Sequence, residues 1–390
     1  MVEDASPRLI ADDVSLAQLI DELRGVTRYA LDTEFHRERT YFPQVALIQI
    51  ATDERITLVD PLACDMLPFA ELLGPDHLVV MHACRQDLEV LERCCGVAPV
   101  SVIDTQLAAG FLGYTTPSLA TLVEAQLHQK LPKADRLTDW LKRPLRPTQL
   151  TYAASDVAHL LELHDQLRTE LERRGRWEWV TDEMAELMAE PRGPRDPQEA
   201  WRRIKEVRHL KGLDLAVAQA VAAWREERAI ELDLTPRHVL GDLGVVGIAV
   251  ARPSTVEEMR SIRGVDGRGL RGNALTELLA VLDSHVDTAP RRARTAPLAE
   301  IPVQLRPALP LLAAWISQLA RDLDIEAALL AARSDLEDLL RGDPDTRARR
   351  GWRAELVGEP VDRLLDGKVA LAFERGTGLV MVPRAPAESP

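Results

Sequence analysis

Five side chains in this sequence have types and spacings that could do chemistry, and they lie in three short stretches. They are Asp32 and Glu34 in "ALDTEFH", Asp87 in "HACRQDLEVL", and Tyr152 with Asp156 in "TYAASDVAHL". Val26, Tyr29, Ala30 and Leu31 read as a strand entering a core. A strand alternates its faces, so Asp32 and Glu34 point the same way. Helical spacing puts Asp87 on one stripe with Val90, Leu91 and Cys94, and Asp156 on one stripe with Leu160, Leu163 and Leu167. Each charge is therefore expected to face protein rather than water.

A carboxylate turned inward is costly unless it meets a cation or a metal, and the neighbouring sequence offers Arg85 and little else. Distant arginines would explain any single acid more readily than the set. Two divalent cations balance four carboxylates. A pair of oxygen-preferring ions, Mg²⁺ or Mn²⁺, roughly 3.5 to 4 Å apart, would make a phosphoryl-transfer site. Tyr152 sits one helical turn before Asp156 on the same face. With a reference pKa of ~10, its phenol suits orienting a water better than deprotonating it.

These residues need a scaffold, and the apolar pattern supplies one. Strand-like runs occur at "VTRYALDTEF", "VALIQIAT", "RITLVD", "HLVVMHA" and "SVID", with helical patterns between and after them. That arrangement implies an α/β domain with a mixed sheet. Beyond residue 147 the pattern is helical, interrupted by the proline-rich linkers "AEPRGPRDPQ" and "DTAPRRARTAP". Domains are expected over 1–190, 196–284 and 299–390. The last two read as a tandem repeat, because "AAWREERAIELDL" (222–234) aligns without gaps on "AAWISQLARDLDI" (313–325).

Composition narrows the class. The chain has 390 residues and 62 acidic against 48 basic side chains, a net charge of −14. This excludes indiscriminate nucleic-acid binding but not a nuclease with local basic patches. The four cysteines lack a metal-type spacing, the N-terminus lacks the apolar core of a signal peptide, and no apolar run reaches ~18 residues. The expectation is a soluble, cytoplasmic, monomeric protein without a membrane partner.

Taken together, the three stretches resemble the tyrosine-containing branch of the DEDD superfamily of 3′–5′ exonucleases. "DTEFHRERTYFPQVALIQIA", "DTQLAAGFLG" and "DWLKRPLRPTQLTYAASDVAHLLEL" are similar to the ribonuclease D family over about residues 8 to 185. "EAWRRIKEVRHLKGLDLAVAQAVAAWREERAIELDL" resembles an HRDC domain, a helical nucleic-acid-binding module, which makes the third region a diverged HRDC-like domain. The resemblance implies a ribonuclease H-like fold with a mixed five-stranded sheet flanked by helices, followed by all-α domains. It implies two metal ions, one on Asp32, Glu34 and Asp156 and the other on Asp32 and Asp87, with Tyr152 positioning the attacking water. The implied activity is metal-dependent 3′–5′ exonucleolytic trimming of RNA 3′ ends, tRNA precursors included, releasing nucleoside 5′-monophosphates.

Candidate nucleic-acid contacts are Thr33 through its backbone, Phe35 and the nearby Tyr41 and Phe42, His82 beside the second motif, and basic clusters that include Lys133, Arg268 and Arg271. A further basic cluster comprises Arg202, Arg203, Lys205, Arg208 and Lys211, and Arg143 belongs to the Lys133 group. Two other readings compete. One keeps the exonuclease but acts on single-stranded DNA, since no residue visibly reads a 2′-hydroxyl. The other is a non-catalytic RNA-binding scaffold.

Overall fold

The apolar runs assemble into one mixed sheet of six strands, one more than the pattern predicts. They are β1 (Arg8–Ile10), β2 (Arg28–His36), β3 (Gln44–Ala51), β4 (Ile56–Val59), β5 (Leu78–Met81) and β6 (Ser101–Asp104), in the order β1-β4-β3-β2-β5-β6. The extra strand, β1, has only three residues, too few to show alternation. The computed structural model describes residues 7–132, 138–265, 269–270, 272–285 and 300–384. β3 pairs antiparallel with β4, while β1–β4, β2–β5 and β5–β6 are parallel. β2 lies inside the sheet, and its Tyr29, Ala30 and Leu31 are fully buried.

The helices of this region are α1 (Asp13–Leu23), α2 (Arg85–Cys95), α3 (Thr105–Gly110), α4 (Leu119–Leu127), α5 (Pro147–Ala158), α6 (Leu160–Arg173) and α7 (Trp177–Ala189). Pro147 opens α5, where its missing N–H costs nothing. Gly96, with φ +79°, closes α2 in the left-handed conformation that favours glycine. At His159 the chain leaves helical geometry, so the expected stripe is broken. Asp156 lies in the last turn of α5, while Leu160, Leu163 and Leu167 line the buried side of α6.

By contact density the chain divides into two units. The first holds residues 1–33, 47–190 and 298–390, and the second holds 34–46 and 191–297. In the second, α8 (Gly212–Leu232), α9 (Pro236–Val239), α10 (Asp242–Ala251), α11 (Val256–Ser261) and α12 (Ala274–His285) follow one another. They close around Val217, Val221, Val239, Ile248 and Leu278. Tyr41 packs on this core, its hydroxyl donating to Glu226 Oε1 at 2.7 Å, and the Phe42 N–H donates to Asp233 Oδ1 at 3.0 Å.

The third region comprises α13 (Ala308–Leu323), α14 (Ala327–Leu330), α15 (Arg333–Arg341), α16 (Gly351–Arg353) and α17 (Glu359–Leu365). Its first three helices repeat α8 to α10 at a constant offset of 91 residues, read at the end of the first helix and both ends of the second. Trp224 and Trp315 are both buried, and both long helices end on an aspartate in left-handed conformation, Asp233 at φ +48° and Asp324 at φ +53°. The tail then departs from the all-helical expectation. β7 (Val369–Glu374) and β8 (Gly378–Pro383) form an antiparallel hairpin, with Gly378 at φ +87°. Its β-branched and aromatic residues are common in strands, but each run is short enough to read as part of a helical pattern.

Charged groups tie the third region to the sheet-bearing part of its unit. Arg174 pairs with Asp324 at 3.0 Å, and Arg176 donates to the carbonyls of Phe111 (2.8 Å) and Leu323 (2.6 Å). Trp179 stacks on Trp352 with centroids 5.0 Å apart. Glu183 is only 6% exposed; it forms an ion pair with Arg353, itself 2% exposed, and accepts from Arg347 at 3.1 Å. Removing one partner of a buried ion pair leaves the other charged and desolvated. Glu183→Ala should therefore lower unfolding stability by about 3 to 5 kcal/mol in urea titration; a loss below ~1 kcal/mol would show that these arginines find other partners.

Candidate active site

β2 carries Asp32 and Glu34 on one face, with Ala30 two residues earlier on the same side. Ala30 packs in one cluster with Ala51 of β3 and Val157 of α5. That face of the sheet therefore looks at α5, the helix that holds Tyr152 and Asp156. The Tyr152 hydroxyl donates to the Asp156 carboxylate one turn later. Burial nevertheless pushes Asp156 up to about 7.

Asp87 lies in the first turn of α2 and is 7% exposed. Thr33, between the two β2 acids in sequence, is also buried, and its hydroxyl donates to Asp87 Oδ1 at 2.5 Å. Burial pushes Asp87 up to about 7, and the Asp104 carboxylate adds to this against the lowering effect of Thr33. Arg85, the one cation the local sequence offered, pairs with Glu190 instead. No cation is among the groups that act on Asp87 or Asp156, so among the described residues both carboxylates are held out of water without neutralisation. The acids are not closed into a finished cage: among the described residues, no three acidic, histidine or cysteine side chains form an ion-holding group.

Other expected contacts fall differently. His82 is bound within the protein, Nδ1 at 2.9 Å from Thr105 Oγ1 and Nε2 at 3.2 Å from the Pro117 carbonyl, and burial lowers its pKa. With both ring nitrogens engaged, it joins three segments of the fold. Thr33 serves Asp87 through its side chain, Phe35 is half-buried on β2, and Tyr41 belongs to the second unit's core. Lys133, Arg268 and Arg271 lie outside the described residues. Arg143, read from sequence as part of a basic patch, turns inward and grips buried Asp60 through two bonds of 2.5 and 2.7 Å. A third bond, 2.7 Å to the Trp140 carbonyl, fixes the segment whose indole lies 6.0 Å from the Tyr152 ring. Arg202 and Arg203 pair with Glu199 and Glu226.

Two supporting residues escaped the sequence reading. Asp104 is 4% exposed and accepts from the N–H groups of Ala83, Cys84 and Gln106 at 2.8 to 2.9 Å, holding the approach to α2 and the start of α3. Asp60 is the other. Both look like ordinary strand-end acids in sequence, and only their distant partners distinguish them.

An α/β domain with this order of strands, followed by a helical region, has close relatives. Residues 7–172 match the 3′–5′ exonuclease family and residues 214–282 match the HRDC domain. Ribonuclease D of Acidiphilium cryptum is 34% identical over 94% of this chain and 95% of its own length, and that of Jannaschia sp. is 37% identical over 88% and 91%. The chain belongs to the ribonuclease D family. The crystal structure of Escherichia coli RNase D, described as an exoribonuclease involved in structured RNA processing, superposes with a TM-score of 0.81 at 32% identity, covering 93% of this chain and 99% of that one. Like other ribonuclease D family members, the protein is a 3′–5′ exonuclease, and its catalytic fold precedes an HRDC domain. No helix among the described residues is long and apolar enough to cross a membrane.

The raised carboxylates of this ribonuclease D family site have a measurable consequence. Asp87 and Asp156 sit at about 7 in the fold against a reference of 3.8, so the folded protein holds more protons than the unfolded chain between about pH 4 and 7. Folding stability contributed by protonation is present at low pH and is lost as pH rises through 7. In chelator-treated protein, Asp87→Asn should flatten that decline, gaining on the order of 1 kcal/mol or more relative to wild type between pH 5 and 8. Equal slopes for the two proteins would mean that Asp87 is not desolvated.

Proposed function

We propose that the protein is a metal-dependent 3′–5′ exoribonuclease that trims the 3′ ends of structured RNA, tRNA precursors among them, and releases nucleoside 5′-monophosphates. The observation that carries this reading is the pair of carboxylates, Asp87 and Asp156, held out of water with no cation among the described residues to offset them. Asp32 and Glu34 lie on the sheet face that looks at α5. All four donors are oxygens, the preference of hard divalent ions such as Mg²⁺ and Mn²⁺. The residues present fit such ions: Asp32, Glu34 and Asp156 would hold one, and Asp32 and Asp87 a second.

When bound, a pair of divalent ions would supply positive charge to the attacking water and to the leaving 3′ oxygen. The protein contributes position. Tyr152, held against Trp140 and hydrogen-bonded to Asp156, aims its hydroxyl where it can orient the water. Thr33 keeps Asp87 turned toward β2. The relatives' common name, and the description of the Escherichia coli enzyme, support RNA as the substrate.

The test is incubation of the full-length protein with 5′-labelled RNA and DNA oligonucleotides of one sequence, with Mg²⁺, Mn²⁺ or chelator. Stepwise shortening that needs metal and runs faster on RNA is expected, and Asp32→Ala should abolish it while leaving RNA binding intact. Internal cuts, shortening in chelator, or a preference for DNA would contradict the proposal. Tyr152→Phe removes one oriented hydroxyl and should lower kcat at least roughly tenfold with little change in KM, since it acts on the reacting water rather than on the bound strand. An unchanged kcat would remove Tyr152 from the reaction.

A further inference from the structure

Gln49 is the one fully buried polar side chain of β3 at 0% exposure, and among the described residues neither its Oε1 nor its Nε2 has a hydrogen-bond partner. A primary amide offers two donors and an acceptor, and leaving all of them unmet inside a core is unusual. The surroundings show where the amide lies. Gln49 is directly opposite Leu58 in the β3–β4 ladder, and opposed residues share a face. Leu58 packs with Leu47 and Ala153, and Ala51 packs with Ala30 and Val157. Gln49 therefore sits on the α5 side, between Leu47 and Ala51 along β3. On the adjacent strand, β2, the residue two beyond Ala30 on that same face is Asp32, and the helix overhead carries Tyr152 and Asp156 beside Ala153 and Val157.

We propose that Gln49 is a positioning residue of the divalent-cation site, its amide hydrogen-bonding to the oxygens that enter with the ion. Mg²⁺ gives up its water reluctantly and is bound with several waters retained, and such waters need fixed donors and acceptors around them. An apolar side chain would pack at this position equally well without the ion. The polar one has a use there only when a partner arrives. The inference rests on the metal site proposed above, and it adds a residue from a strand that carries none of the four acids.

The experiment compares wild type, Gln49→Met and Gln49→Leu as full-length proteins in two measurements: Mn²⁺ binding by titration calorimetry, and thermal unfolding in chelator and in Mn²⁺. Replacing an unpartnered buried amide by an apolar group of similar size is neutral or stabilising, so both variants should unfold in chelator no earlier than wild type. Both should bind Mn²⁺ about 10- to 100-fold more weakly, the usual effect of removing an outer partner of a metal site, and should lose most of the stabilisation that Mn²⁺ gives wild type. If the variants bind Mn²⁺ as wild type does, the inference falls and the metal site stands. It falls in the same way if they unfold earlier in chelator with unchanged affinity, because Gln49 then serves the core. If wild type itself binds no Mn²⁺, the metal site fails and the role of Gln49 fails with it.

Discussion

Withdrawing a carboxylate from water is the constraint on which this fold's catalytic half depends. Burial penalises the charged form, and a protein can answer with a proton, a cation or a metal ion. At Asp60 the answer is an arginine: Arg143 meets both its oxygens, and the pair is structural. At Asp104 it is a set of backbone N–H donors. At Asp87 and Asp156 no cation answers among the described residues, and the backbone N–H groups that reach Asp87 do not offset its burial. One hydroxyl each, from Thr33 and Tyr152, is the named side-chain partner, and both acids stay near 7. Asp60 and Asp104 thus build the fold, and on the proposed reading Asp87 and Asp156 are kept for the ions that bind.

The scaffold follows from that separation. β2 must be interior so that its two acids are reached from the α5 side, and its flanking strands supply the apolar floor of Ala51 and Val80. α5 must lie across that floor so that Ala153 and Val157 pack down while Tyr152 and Asp156 take the flank. The Arg143–Asp60 pair then holds Trp140 beside Tyr152. A cluster of buried ion pairs around Glu183 fastens the third region to the same unit, far in sequence from the acids it helps to support. The side chains named for chemistry are few, and most of the polar effort goes into holding them still.

Much of this was legible in the residues because the signals are local. Asp32 and Glu34 interrupt an apolar strand, and Asp87 and Asp156 interrupt apolar helix stripes, so the conflict between charge and burial shows within a dozen residues. The 91-residue repeat was visible for a similar reason, through Trp224 and Trp315 and the aspartates that end their helices. What stayed hidden depends on partners far away in sequence. Nothing beside Thr33 announces that its hydroxyl will reach Asp87, nothing in "KRP" says that Arg143 turns inward, and His82 looks available until Thr105 and Pro117 close on it. β1 and the β7–β8 hairpin were missed because short strands take their stability from pairing rather than from propensity. The break at His159 was missed because the apolar spacing continues across it.

The central claim is that the desolvated acids form a two-ion site. The most direct measurement is anomalous diffraction from crystals of the full chain equilibrated with Mn²⁺ and a non-cleavable RNA 3′ end. A two-ion site predicts two anomalous peaks roughly 3.5 to 4 Å apart, bordered by Asp32, Glu34, Asp87 and Asp156, with the RNA's terminal phosphate beside them. Peaks elsewhere on the protein, or an RNA end bound at these acids with no anomalous signal, would contradict it.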